Sequence, residues 1–238
     1  MARAEKLEII GKEVTMIPKQ SAKKSSANTV RDFLPVTLPK PAPFRGKAMF
    51  AALKARETIR MVSNRKLPLQ VLSNLLWAAC GINRTKGPFG IPGRTAASAS
   101  NSQEIEVYAA TAESVYLYEP ASHSLLPVIA RDLRAMAIGR GQGKWGANAP
   151  VRLIYVVDID KFAKAGFQEP GLHDAEIRKS YYYVDTGLIA GNVYLFAASL
   201  GLAAWFHNCD KAAVSAALKL PPSKRPLFGQ TVGYPGKK

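Results

Sequence analysis

Two arginines and a threonine stand at alternate positions within the segment ALKARETIR, as Arg56, Thr58 and Arg60. In an extended chain alternate side chains share one face, so both guanidinium groups and the hydroxyl would point the same way. Arginine binds phosphate oxygens through two parallel hydrogen bonds, which makes such a face suitable for a phosphate group. If the preceding helix continued instead, Thr58 would point away from the arginines. The β-branched run ETIRMV favours the extended form, although this spacing alone is common by chance.

A second polar segment, SASNSQ, contains Ser98, Asn101 and Gln103. Its small residues let a backbone approach a ligand closely, and its two amide side chains offer both hydrogen-bond donors and acceptors. The segment therefore predicts a ligand-binding loop.

Side chains that could carry out chemistry by themselves are few. His123, His173 and His207 have no metal-ligand spacing, so we predict no metal site. Cys80 and Cys209 lie in no nucleophile motif and are predicted to be reduced thiols. No pair of carboxylates forms a convincing acid and base. This pattern is typical of an enzyme whose reactive atoms belong to a bound organic cofactor.

The chain of 238 residues carries a formal net charge of +16. Such a charge favours anionic partners: nucleic acid, an acidic membrane surface, or phosphorylated cofactors and substrates. A solvated basic surface explains most of the lysines equally well. We expect no nucleic-acid partner because no stacking platform or recognised binding motif accompanies the charge. A nucleic-acid binder is the alternative, and it predicts steeply salt-dependent binding.

The longest apolar stretch, residues 181–202, reads YYYVDTGLIAGNVYLFAASLGL. It is long enough to cross a membrane, but Asp185, Asn192 and three glycines favour a buried helix, so we expect no membrane partner. Asp185, Asn192 and Ser199 recur every seven residues, close to two helical turns, and form one polar stripe. The first residues lack the apolar run of a secretory signal, so we expect a cytoplasmic protein.

The remaining patterns divide the chain into two parts. Residues 1–46 are interrupted by prolines and carry lysines among serines, which predicts an irregular basic N-terminal arm. Residues 47–238 form the predicted domain. A glycine-rich loop at residues 139–146 is not a P-loop, because Lys144 is followed by Trp145. Apolar periodicity predicts helices at 48–56, 67–80, 125–136 (or helical turns there), 181–202 and 214–218, and strands at 105–109, 115–118, 151–157 and 231–234.

Four blocks occur in a fixed order: ALKARETIR, SASNSQ, DTGLIAGNVYLFAASLGL and a terminal VGYP. Together they resemble the nitroreductase family of FMN-dependent oxidoreductases over residues 47–235. The segment LPLQVLSNLLWAACGINR further resembles a subgroup related to azoline-oxidising dehydrogenases. The resemblance implies an α+β fold with a mixed central sheet flanked by helices. It also implies an intertwined homodimer, with FMN at the subunit interface and both chains contributing to its site.

The resemblance implies a role for the first block. Arg56, Thr58 and Arg60 match the family segment that binds the FMN phosphate and ribityl chain, with Thr58 in place of the commoner serine. Family members often supply a further basic pair beyond the final strand. Here the chain carries Lys237 and Lys238 soon after GYP, so Lys237 is the candidate for that role.

The resemblance also assigns the flavin contacts. Ser98, Asn101 and Gln103 match the block that contacts the flavin, with alanine preceding Ser98 where the family usually has proline. The backbone around His207 and Asn208 falls where family members place an N–H against the reactive flavin nitrogen, after a one-residue gap in the alignment. The polar stripe on the long helix is then expected to satisfy buried backbone groups or helix ends.

The implied activity is hydride transfer by a ping-pong cycle. NADH or NADPH would reduce FMN and leave, and an electron-poor small molecule of the nitroaromatic or quinone type would enter the same pocket. The alternative within the same family is a flavin-binding or regulatory relative without turnover.

Overall fold

The computed structural model describes residues 33–42, 46–142, 148–165 and 174–237, and these belong to one compact unit that begins at Phe33. The described helices are α1 (Met49–Ala55), α2 (Leu69–Cys80), α3 (Ile159–Ala163), α4 (Ala175–Leu200) and α5 (Lys211–Leu218). The described strands are β1 (Val36–Thr37), β2 (Ile82–Arg84), β3 (Gly93–Arg94), β4 (Ile105–Ala110), β5 (Val115–Glu119), β6 (Ser124–Ile129), β7 (Val151–Asp158), β8 (Ala203–His207) and β9 (Lys224–Gly233).

Seven strands form one central sheet in the order β1-β6-β5-β4-β7-β9-β8, and β2 pairs separately with β3. Every ladder between these described strands is antiparallel, whereas the resemblance implied a mixed sheet. The strands predicted at 105–109 and 115–118 are β4 and β5, which pair with each other as a hairpin. Helices flank the sheet, so the predicted α+β class is confirmed.

The central strand β7 is buried along its whole length. Leu153, Tyr155 and Val157 pack on the side of the sheet that also buries α2 and α4. Ile154 and Val156 point to the opposite face and pack with apolar residues of α5. Since successive side chains of a strand point to opposite faces, this continuous apolar run requires cover on both sides.

The long helix α4 begins six residues before the predicted start, because its first turns are charged rather than apolar. The Asp174 carboxylate accepts hydrogen bonds from the backbone N–H groups of Glu176 and Ile177, which caps the N-terminus. The helix ends where Gly201 adopts a left-handed conformation with φ 69°. Among the described residues, no helix is long and apolar enough to cross a membrane.

One predicted helix is wrong over its first half. Residues 124–129 form β6, whose Leu125 lies opposite Tyr118 of β5, and only the later residues of the predicted segment form helical turns. The segment SLLPVI has apolar residues that suit either structure, and pairing with β5 decides for the strand. The last strand also begins earlier than predicted, at Lys224, and β8 was not assigned from the sequence.

Part of the predicted irregular arm belongs to the sheet. Val36 and Thr37 pair with β6, and Leu38 is buried in the main core. The Ala42 N–H donates to the side-chain oxygen of Asn74 on α2 at 3.1 Å. The arm therefore stays a prediction for residues 1–32, which lie outside the described residues, as do residues 143–147 of the glycine-rich loop.

Candidate active site

The arginine segment, residues 56–60, is extended, as its β-branched composition predicts. Helix α1 ends at Ala55, and the next residue, Arg56, has left the helical region with φ −64° and ψ 119°. The Ile59 N–H then donates to the Ala204 carbonyl at the start of β8, at 3.1 Å. Arg56, Thr58 and Arg60 are all exposed. Because the segment is held in an extended form, their alternate spacing places them on one face.

Two aromatic residues that the sequence did not single out hold this face in place. The Tyr194 hydroxyl on α4 lies 3.2 Å from the Thr58 hydroxyl and accepts a 2.9 Å hydrogen bond from the Phe206 N–H of β8. The Arg56 guanidinium carbon lies 5.8 Å from the centre of the Tyr194 ring. The Arg60 guanidinium carbon lies 5.6 Å from the centre of the Trp205 ring, within the range of a cation–π contact.

The C-terminal segment runs beside the arginine segment. The Gly236 N–H donates to the Met61 carbonyl at 2.8 Å, and the Ser63 N–H donates to the Tyr234 carbonyl at 2.9 Å. Lys237 therefore follows immediately after a residue that is bonded next to Arg60. Within the described residues, none of Arg56, Arg60 and Lys237 has an acidic partner. Two arginines thus lie on one face of the extended segment with Lys237 near its end, and none of the three is paired with an acid, while Lys238 lies outside the described residues.

The end of β8 brings a backbone donor to the same region. The His207 ring lies 4.7 Å, centre to centre, from the Trp205 ring that Arg60 covers. His207 is buried: Nδ1 lies 2.8 Å from the Asn208 carbonyl oxygen, and Nε2 lies 2.8 Å from the Thr231 hydroxyl. Burial lowers the pKa of His207 to about 4, so its ring is neutral at neutral pH. Asn208 is exposed, and its N–H meets no acceptor in the part of the chain that is described.

The amide block, residues 98–103, forms a tight loop of its own. Three of its residues, Ser100, Asn101 and Gln103, have φ values of 51°. The Gln103 amide nitrogen donates to the Asn101 side-chain oxygen at 2.9 Å, and the Ser98 hydroxyl accepts from the Gln103 N–H at 3.0 Å. Arg94 donates to the Gln103 side-chain oxygen at 2.6 Å. The predicted site residues Ser98, Asn101 and Gln103 are therefore close together, and part of their hydrogen-bonding capacity maintains the loop.

Two side chains of the polar stripe on α4 bond to the backbone of this loop and of the residues just before it. The Asp185 carboxylate accepts from the Ala99 N–H at 2.9 Å, and the Asn192 amide donates to the Thr95 carbonyl at 3.2 Å. The third member, Ser199, donates to the Phe196 carbonyl of its own helix at 2.8 Å. The expectation that the stripe satisfies buried backbone groups is confirmed.

A buried acid that no sequence motif indicates lies beside this contact. Glu104 is fully buried, and its carboxylate accepts a hydrogen bond from the Ser102 hydroxyl at 2.5 Å. Burial, together with the neighbouring charge of Asp185, raises the pKa of Glu104 to about 8. Burial also raises the pKa of Asp185. One proton is therefore retained on this pair at neutral pH, because two adjacent buried carboxylates cannot both ionise without a large cost.

The arginine segment and the amide block lie on different sides of α4. Tyr194 contacts the first and Asn192 the second, and residues two positions apart are separated by about 200° around a helix axis. Among the described residues, no hydrogen bond joins the two groups. One chain thus brings Arg56, Thr58, Arg60, Lys237 and the His207–Asn208 turn together, and Ser98, Asn101 and Gln103 separately.

No group of three or more histidine, cysteine, aspartate or glutamate side chains suited to a metal ion occurs in the described ranges. His173, one of the three histidines, lies outside them, so the absence of a metal site stays a prediction.

Comparisons with known proteins agree on one family. The sequence model described as the Nitroreductase family matches residues 53–234. A protein of Methanocaldococcus jannaschii assigned to the nitroreductases is 27% identical over 154 residues, which are 62% of this chain and 71% of that protein. A crystal structure of a protein from Ralstonia eutropha JMP134, also assigned to the nitroreductases, is 30% identical with a TM-score of 0.73. The match covers 86% of this chain and 90% of that one.

A more distant structure shares the fold. The Escherichia coli microcin synthetase complex contains a chain that is 18% identical with a TM-score of 0.59, over 95% of this chain and 85% of that one. The family model covers more than half of the chain, and the Ralstonia relative matches it over most of both lengths. The chain therefore belongs to the nitroreductase family of oxidoreductases.

Proposed function

We propose that this protein is an FMN-dependent oxidoreductase that passes a hydride from NADH or NADPH to an electron-poor small molecule, of the nitroaromatic or quinone type, by a ping-pong cycle. The observation that carries the proposal is the exposed face of Arg56, Thr58 and Arg60, which is held by Tyr194 and has Lys237 beside it without an acidic partner. In a member of the nitroreductase family, such a face suits the phosphate of FMN.

The charges and hydrogen-bonding groups of these residues fit FMN. Two guanidinium groups and an ammonium group match a phosphate dianion, and the Thr58 hydroxyl adds a neutral hydrogen-bonding group for the ribityl chain. The Asn208 N–H offers a donor to a ring nitrogen, while the neutral His207 ring fixes the turn through its bond to the Asn208 carbonyl. When bound, FMN supplies the ring that accepts and returns the hydride; the protein residues bind and orient it.

We further propose a homodimer in which the amide block of one subunit reaches the arginine face of the other. This is supported by the separation of the two groups on either side of α4. It is also supported by an apolar surface on α1 and α4, where Phe50 is 86% exposed, Val184 58% and Leu188 45%. Monomeric proteins rarely leave such a patch uncovered. A cytoplasmic location is part of the same proposal and is supported by the two buried free thiols, Cys80 and Cys209.

The cofactor is tested on the purified protein. We expect a yellow protein with flavin absorbance that releases FMN on denaturation. Arg56→Ala should weaken FMN binding roughly tenfold to a hundredfold, the range for one lost charge-assisted contact. Thermal unfolding of the apoprotein should change little, because Arg56 is exposed. Arg131→Ala, which removes an exposed cation elsewhere, should bind FMN like the wild type.

A colourless protein that takes up no added FMN would refute the proposal. Equal FMN affinity in Arg56→Ala and Arg131→Ala would remove Arg56 from the phosphate site. Steady-state oxidation of NADH or NADPH with a quinone acceptor then separates an enzyme from a flavin-binding relative without turnover, because the latter would bind FMN and consume no nicotinamide.

A further inference from the structure

A groove of ≈ 360 Å³ opens between the start of α4, the start of α5 and the start of β9. Its volume lies within the range of about 300–1,000 Å³ that is usual for small-molecule sites. Three cations border it, one from each element: Lys179, Lys211 and Arg225. Tyr182 and Tyr183 of α4 supply ring surface between them. We call this feature the cationic groove.

Within the described residues, two of the three cations of the cationic groove have no acidic partner. No acidic side chain is among its lining residues, and neither Lys211 nor Arg225 has an acidic partner in the described part of the chain. Lys179 lies 3.3 Å from Glu176, but both side chains are exposed, and such a pair contributes little. The groove therefore favours a ligand that carries negative charge.

Tyr182 and Tyr183 line the groove, and behind them a series of aromatic rings continues in tilted and edge-on contacts. Tyr182 and Tyr183 lie 5.8 Å apart between ring centres, and Tyr183 lies 5.7 Å from Phe228. Phe228 in turn lies 4.8 Å from Phe206, and the Lys211 ammonium lies 5.6 Å from the Phe228 ring centre. Ring faces of this kind bind flat apolar groups, so the groove combines sites for a planar ring and for an anion.

The groove is connected to the proposed flavin site through Lys211. That lysine also lines a second hollow of ≈ 460 Å³, whose wall includes Asn208 and the ion pair of Arg140 with Asp210. We assign the N–H of Asn208 to the flavin edge. Phe206, which contacts the ring of Phe228, lies in β8 two residues before Asn208. A ligand in the groove can thus extend towards the residues that orient the flavin.

We propose that the cationic groove binds the anionic part of a substrate of the flavin site, a planar ring bearing a phosphate, carboxylate or sulfonate group. This inference rests on the proposed function. The charged ring belongs either to the phosphate-bearing nicotinamide donor or to an acidic aromatic electron acceptor. Lys211 and Arg225 bind the anion, and Tyr182 and Tyr183 bind the ring. The groove thereby selects anionic substrates over neutral ones of the same size.

The test uses matched acceptors with the FMN-loaded protein. A naphthoquinone sulfonate is compared with its neutral parent naphthoquinone, in the wild type and in Lys211→Ala, Arg225→Ala and Arg131→Ala. If the anion comes from the acceptor, the first two variants should raise KM for the sulfonate about five- to tenfold, the effect of one partly exposed charge-assisted contact. KM for the neutral quinone, and every constant of Arg131→Ala, should stay within about twofold of wild type.

The nicotinamide cofactor as the source of the anion is tested with the same four proteins. If the anion comes from the nicotinamide, Lys211→Ala and Arg225→Ala should raise KM for NADH or NADPH with either acceptor, and a larger effect on NADPH would place its extra phosphate in the groove. Unchanged KM values for the sulfonate, NADH and NADPH in both variants would overturn the inference while leaving the oxidoreductase proposal intact.

Direct binding provides a test that needs no turnover. Calorimetric titration of the full chain with naphthalene-2-sulfonate should show binding that is weakened at least about fivefold in the Lys211→Ala/Arg225→Ala double variant and unchanged in Arg131→Ala. Equal binding in all three proteins, or no binding to the wild type, would overturn the inference. A protein that binds the sulfonate and oxidises no nicotinamide would instead refute the proposed enzymatic function.

Discussion

The Tyr194 hydroxyl joins two segments that are distant in sequence. It contacts the Thr58 hydroxyl of the arginine segment and accepts from the Phe206 N–H of β8. Tyr194→Phe keeps the ring beside Arg56 but leaves the Phe206 N–H without this partner. We expect the free energy of unfolding to fall by about 1–2 kcal/mol, as for a lost hydrogen bond that leaves a partly buried donor unpaired. FMN binding should weaken as well, because Thr58 loses its anchor.

The matched control for Tyr194 is Tyr116→Phe. Tyr116 lies on β5, its ring packs against Phe33, and its hydroxyl has no hydrogen bond among the described residues. Urea unfolding and FMN titration of both variants measure the two effects. If Tyr194→Phe matched Tyr116→Phe in stability and in FMN affinity, the hydroxyl would have no role in holding the arginine segment.

The residues of the arginine segment could be predicted, and those that hold them could not. Arg56, Thr58 and Arg60 are two apart, so their common face follows from local backbone geometry. Tyr194 is 136 positions from Thr58, and nothing in its local sequence indicates that contact. His207 is predicted for its backbone position alone. Its side chain is buried, burial lowers its pKa so that the ring is neutral, and Nδ1 bonds to the Asn208 carbonyl and fixes the turn.

At the scale of elements, Asp185 fastens the amide block to α4, and the buried Glu104 lies beside this contact. The folded protein holds a proton on Glu104 up to a pKa of about 8, whereas an unfolded glutamate releases it near 4.5. The unfolded chain therefore binds fewer protons between these values, and the free energy of unfolding falls as pH rises from about 4.5 to 8. Each unit of pKa difference contributes about 1.4 kcal/mol.

Comparison with Glu104→Gln isolates this effect. The variant keeps a side chain of similar size and an N–H donor, and it has no proton to lose. We expect the stability of the wild type relative to Glu104→Gln to decrease between pH 5 and pH 8.5, as measured by urea unfolding. His207, whose pKa is lowered to about 4, increases stability as pH rises towards 6.5, but it is present in both proteins and cancels. Parallel stability profiles would show that Glu104 is already ionised at neutral pH.

The elements that the sequence predicts well are those with a regular residue pattern along the segment. β7 is buried on both faces and α4 has a regular polar stripe, so both patterns are visible locally. Residues 124–129 are different, since SLLPVI becomes a strand because Val115–Glu119 and Val36–Thr37 pair with it on its two sides. The charged first turns of α4 were missed because their side chains face solvent and carry no apolar period.

At the scale of the whole molecule, the apolar surface of α1 and α4 is the feature that a single chain leaves unexplained. Gly187 and Gly191 lie on this side of α4, and apart from their own stretch of helix no described atom lies within 4 Å of where a Cβ would stand. A glycine inside a helix costs about 1 kcal/mol relative to alanine. Two such residues at an exposed position, next to Leu188, are consistent with a second chain that approaches the helix closely.

Disruption of this surface tests the dimer and the site together. Leu188→Arg places a charge in the middle of the apolar surface, whereas Val128→Arg places one on β6, where the valine is also partly exposed. In sedimentation experiments we expect the wild type and Val128→Arg to be dimers and Leu188→Arg to shift towards monomer, because a buried unpaired charge is costly. Leu188→Arg should also lose FMN, since its amide block would no longer reach the arginine face of another subunit. A Leu188→Arg protein that remains dimeric would exclude this surface as the interface, and a folded monomer that binds FMN normally would show that one chain completes the site.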